Sequence, residues 1–107
     1  MANVCNTQLK IVADKISDEK ADDIIKWLED NYCLEDSLNE NWRCEDSLEL
    51  YCYTKWNVIP EELSKMCKKF KVKCRAIGQE DGNGFIQVVH IENNGKIIGD
   101  EAISFIF

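Results

Sequence analysis

Residues 40–56 read Glu40-Asn41-Trp42-Arg43-Cys44-Glu45-Asp46-Ser47-Leu48-Glu49-Leu50-Tyr51-Cys52-Tyr53-Thr54-Lys55-Trp56. From Ser47 onward the pattern has period two, the mark of a strand with one buried face. Leu48, Leu50, Cys52, Thr54 and Trp56 fall on one side, and Glu49, Tyr51, Tyr53 and Lys55 on the other. Glu40 to Cys44 forms either a short strand around Trp42 or part of an acidic loop spanning 33–46. That alternative decides the fold, because a strand there completes a β-α-β-β-α-β core.

Downstream, Pro60 suits the first turn of a helix, with Glu61 and Glu62 beside it. Leu63, Met66, Cys67 and Phe70 form its apolar stripe, and Lys65, Lys68 and Lys69 lie outside. Lys71 to Ile77 alternates again, with Val72, Cys74 and Ala76 inward and Lys71, Lys73 and Arg75 outward. Gly78 to Gly84 reads as a turn, Phe85 to Glu92 as a strand, and Asn93-Asn94-Gly95 as a hairpin turn. Lys96 to Ile98 is a further strand, which Ala102 to Phe107 either extends or leaves to dock separately.

Upstream, Thr7 to Ala13 is a strand with Leu9, Ile11 and Ala13 on one face. Ser17-Asp18-Glu19 opens a helix with a capping hydroxyl and first-turn acids. Ala21, Ile24, Ile25, Leu28 and Tyr32 make its buried stripe, acids take most of the remaining circumference, and Trp27 lies at the border. Two amphipathic helices cover one side of a mainly antiparallel sheet. The expected fold is therefore α+β: a two-layer ferredoxin-like sandwich with an extra C-terminal hairpin.

The length of 107 residues fits a single domain, 1–107, and 45% hydrophobic content with three tryptophans supplies a core. No run of about 18 apolar residues suggests a membrane span. The stretch Met1 to Asn6 has no basic region followed by an apolar one, so the expectation is a whole, soluble, cytoplasmic protein. Six cysteines at 5, 33, 44, 52, 67 and 74 form no C-x-x-C pair, and His90 is the one histidine. Neither zinc ligation nor a disulfide framework fits that spacing. Cys52, Cys67 and Cys74 read as small core hydrophobes, while Cys33 and Cys44 flank a loop and stay open. No cofactor or metal is expected.

Charge is divided along the chain. Residues 1–49 carry thirteen acids and five bases, a net of −8, and residues 50–107 carry seven acids and eight bases. Six of those bases fall between Lys65 and Arg75. Such asymmetry bears on partners and encounter, not on fold.

At Thr54-Lys55-Trp56-Asn57-Val58-Ile59-Pro60 the sequence resembles the YubB-like proteins, small ferredoxin-like domains of plasmids and phages. That family shows an Asn-Trp pair ahead of a strand, as at Asn41-Trp42. A strand ending in Thr-x-Trp follows, then Pro, a helix and a strand–turn–hairpin tail. The resemblance covers roughly residues 40–98. Arg43-Cys44 stand where the family has Gly and Lys, and the Trp-to-Pro spacing is longer. It implies a ferredoxin-like fold and a mobile-element origin, and it assigns no catalytic residue.

No spacing pairs His90 with a cysteine as base and nucleophile, so no enzyme is expected. Asp18-Glu19 and Asp22-Asp23 read as a solvated helix face. The favoured reading is a non-enzymatic, phage- or plasmid-type interaction protein. It would dock, as anti-CRISPR or anti-restriction inhibitors do, on a basic nucleic-acid-binding host protein such as a defence nuclease. Asp22, Asp23, Glu29, Asp30, Glu35 and Asp36 would stand for phosphates and Trp27 would anchor. The alternative is a small-ligand or nucleic-acid module using the open sheet face around Tyr51, Tyr53, Lys73 and His90. Gly82 to Val88 is similar to the aromatic strand motif of RNA-recognition domains, without its preceding base and second aromatic. A net charge of −7 opposes phosphate attraction, so direct nucleic-acid contact is not expected.

Overall fold

The computed structural model describes residues 4–32, 34, 38–55, 57–80 and 84–104. In chain order these form β1 (Val4–Val12), α1 (Asp18–Asn31), β2 (Asn39–Arg43), β3 (Ser47–Lys55), α2 (Pro60–Phe70), β4 (Lys73–Glu80), β5 (Phe85–Ile91) and β6 (Ile97–Ser104). The segment between Glu40 and Cys44 is thus strand rather than loop. The six strands make one sheet in the order β2-β3-β1-β4-β5-β6, and every neighbouring pair is antiparallel. α1 links β1 to β2 across β3, and α2 links β3 to β4 across β1.

Alternation decides which face is covered. Leu9 and Ile11 of β1, Leu48, Leu50 and Cys52 of β3, Cys74 and Ala76 of β4, and Val89 and Ile91 of β5 join one buried cluster. Ala21, Ile24 and Leu28 of α1 and Leu63, Met66 and Cys67 of α2 belong to the same cluster, so both helices lie on that face. The result is an α+β structure in two layers. Among the described residues no helix is long and apolar enough to cross a membrane.

Local chemistry sets the helix ends. The Ser17 hydroxyl accepts from the Lys20 N–H at 3.1 Å, with Asp18 and Glu19 in the first turn. Pro60 opens α2 without a side-chain cap, and Lys68 and Lys69 complement its C-terminal dipole. Lys71 then turns left-handed at φ 56°, which lets the Val72 N–H reach the Cys67 carbonyl at 3.1 Å. Lys71 is therefore a helix cap, not the first residue of a strand.

Gly78 to Glu80, expected in a turn, continue β4 instead, because Ala76, Gly78 and Glu80 keep the buried alternation. β1 likewise starts earlier than Thr7, since Cys5 and Thr7 extend its buried face. Ala102 to Ser104 extend β6 beyond Ile98. Cys33, Trp56 and residues 81–83 and 105–107 lie outside the described residues.

Candidate functional site

Among the described residues, the sheet face away from the helices carries no second layer. Register places Trp42 opposite Glu49, Tyr51 opposite Gln8, Tyr53 opposite Asn6, and Gln8 opposite Ile77. A bulge at Asn41 keeps Trp42 on this side while Arg43, opposite Leu48, turns toward the helices. Trp42 is 57% exposed, Tyr51 39% and Tyr53 42%. Val12, Ile77, Ile98 and Ile103 are also exposed. Ile77 and Ile103 share this face by register, and Ile98 borders the same depression as His90 and Val88.

Bases interleave with these side chains. Lys10 lies opposite Arg75, Arg75 opposite His90, and Val12 opposite Lys73. Lys73 holds a long ion pair with Glu92 at 3.7 Å. One shallow depression of about 420 Å³ runs between Tyr51, Gln8, Lys10 and Arg75. A second of about 380 Å³ runs between Lys10, Arg75, His90 and Ile98. The expected set Tyr51, Tyr53, Lys73 and His90 is thus on one surface. Arg75, an outward position beside Lys73, joins them, and Lys10 and Trp42 are the unexpected members. Lys10 and Arg75 were legible as outward positions, but the pairing of β1 with β4 was not.

The acidic surface is organised differently. Glu19, Asp22, Asp23, Glu29 and Asp30 are exposed on α1. Arg43 reaches across from β2 and ties down part of this surface, with Nη2 at 2.6 Å from Glu40 and 2.9 Å from Asp22, and Nη1 at 3.3 Å from Asp18. The Glu40 and Asp22 carboxylates push the guanidinium pKa up, so Arg43 stays charged. Asp23, Glu29 and Asp30 take no ion pair among the described residues. Trp27 is half-buried and packs against the core. Glu35 and Asp36 lie outside the described residues.

The cysteines split into two kinds. Cys5, Cys52, Cys67 and Cys74 are buried, and Cys44 is exposed in the β2–β3 turn. Contact with Cys67, then burial, pushes the Cys74 pKa above its ordinary 9.0, and burial does the same for Cys5. A thiol that titrates higher folded than unfolded adds stability that is fully present below about pH 9. That contribution is lost as the pH rises further. Iodoacetamide at pH 8 is accordingly expected to label Cys44 in the native protein, and the four buried thiols only after denaturation. Peptide mass mapping checks this, and rapid native labelling of Cys74 would contradict it.

Comparison with protein-family models, with curated proteins and with solved structures finds no match to this chain.

Proposed function

We propose that the chain is a non-enzymatic interaction protein with a ferredoxin-like fold, of the YubB-like kind borne by phages and plasmids. It meets its partner through the uncovered sheet face. The fold reading is supported by the order β2-β3-β1-β4, in which each helix joins two strands separated by a third. On this reading β5 and β6 are a hairpin added at the β4 edge. The observation that carries the functional reading is the gathering of Trp42, Tyr51, Tyr53, Ile77, Ile98 and Ile103 on one side of the sheet. Scattered apolar side chains are ordinary, whereas a contiguous exposed patch marks an interaction surface.

A second reading has its own support in Asp23, Glu29 and Asp30 of α1, which are exposed and take no ion pair among the described residues. These would present carboxylates to a basic nucleic-acid-binding protein. Two variants separate the readings: Tyr51→Ser/Tyr53→Ser on the sheet and Asp23→Lys/Asp30→Lys on the helix. Each is immobilised beside the wild type and exposed to extract of the native host. Loss of at least about tenfold of the bound partner by the tyrosine variant alone supports the sheet face, since aromatic anchors dominate interface energy. Loss by the lysine variant alone overturns it in favour of the acidic helix.

A further inference from the structure

We infer that the Lys10–Arg75 cross-strand pair is a phosphate seat for single-stranded nucleic acid, whose bases stack on Tyr51 and its aromatic neighbours. This rests on the reading of the open sheet face as the recognition surface, and it names the partner.

Like charges directly opposite each other on neighbouring strands destabilise a sheet. Lys10 and Arg75 are such a pair, on two interior strands of the sheet. Glu49 lies on the other side of Lys10, yet neither Lys10 nor Arg75 forms an ion pair among the described residues. The depression beside Tyr51 and the one beside His90 and Lys73 meet at these two residues. An anion lying over the pair would remove the repulsion. That anion has flat partners on both sides: Tyr51 diagonally across β1–β3, and His90 directly opposite Arg75. Diagonal neighbours stand about 7–8 Å apart, within reach of an aromatic ring.

Cations interleaved with exposed aromatics are what a single strand requires, one for the phosphate and the other for the base face. A duplex hides its base faces and gains nothing from the tyrosines. The net charge of −7 does not decide the matter. The acids of α1 belong to the opposite layer, and fields between exposed charges decay over about 8 Å at physiological ionic strength.

The test is fluorescence anisotropy with labelled rU12, dT12 and a 12-base-pair duplex, across a salt series. Single strands are expected to bind with Kd on the order of 10–100 μM at physiological salt. Lys10 and Arg75 on phosphate, with Lys73 beside them in the second depression as a third contact, give a slope of log K against log salt of about −2, at about −0.7 per contact. Lys10→Gln/Arg75→Gln should weaken binding at least about tenfold and flatten the slope to about −0.7. Its melting temperature should be no lower than that of the wild type, which separates lost contacts from lost fold. Tyr51→Leu should weaken binding at least about fivefold with the slope unchanged. Equal affinity for the duplex overturns the inference, as does binding that survives Lys10→Gln/Arg75→Gln. If neither oligonucleotide binds while Tyr51→Ser/Tyr53→Ser still loses its captured partner, the nucleic-acid inference falls and the open-face reading stands.

Discussion

Replacing Leu9 by alanine is expected to remove about 2–5 kcal/mol of stability, a large share of the roughly 5–15 kcal/mol available to a domain of this kind. Leu9 is 1% exposed, on strand β1 in the interior of the sheet, between Leu50 of β3 and Ala76 of β4. Its side chain joins residues of both helices in one cluster. Ala76 is too small to fill the space, so the cavity would stay open, and the cost grows with cavity volume. Gln8, the next residue, points to the open face and is exposed. Gln8→Ala should shift stability by no more than about 0.5 kcal/mol. Urea titration of both variants reads the difference as a midpoint shift at constant slope. A loss below about 1 kcal/mol for Leu9→Ala would mean that the helices do not close over β1 as described.

The same alternation that makes Leu9 vulnerable is what made the fold readable. Period-two stretches in β1, β3, β4 and β5, and 3.6-period stripes in both helices, each report a buried face without reference to any other element. Strand ends were read less well, for identifiable reasons. Gly78 looks like a turn residue in the sequence, but β4 uses it for its lack of a side chain. Lys71 alternates with Lys73 and Arg75, yet the end of α2 claims it as a left-handed cap. β2 was ambiguous because its register contains a bulge, which breaks strict alternation at Asn41.

The candidate surface was legible only in part. Tyr51 and Tyr53 announce a polar-side aromatic pair within a single strand, so local pattern suffices. Lys10 and Arg75 are 65 residues apart, and only the pairing of β1 with β4 sets them side by side. The lengthwise charge division also concealed something, because linear position is a poor guide to which layer a side chain occupies. Lys73 and Arg75 leave the basic run to join Lys10 on the sheet, whereas Lys65, Lys68 and Lys69 stay on α2. Arg43, one of the few bases in the acidic half, spans β2 and α1 and quiets Asp18, Asp22 and Glu40.

Gly78→Ala should cost about 1–3 kcal/mol although it adds a single methyl group in a strand, where alanine ordinarily outperforms glycine. A Cβ built on Gly78 would stand 2.6 Å from Cys5 Sγ and 2.6 Å from Val58 Cγ2, so both neighbours must move. Neither moves freely. Val58 is fully buried, and its N–H donates to Gln87 Oε1 at 3.1 Å, while Gln87 Nε2 donates to Asp100 at 2.9 Å. One residue earlier, the Thr54 hydroxyl donates to the Asn57 carbonyl at 3.0 Å, and Thr54 shares a 2.9 Å hydrogen bond with Thr7. The β3–α2 connection is therefore pinned to the sheet at the point where the methyl must go. Val58→Ala should relieve one of the two clashes. The double variant is then expected to be more stable than the sum of the single losses allows, by at least about 0.5 kcal/mol. Strict additivity in denaturant titrations would show that the clash with Val58 is not what excludes a side chain at residue 78.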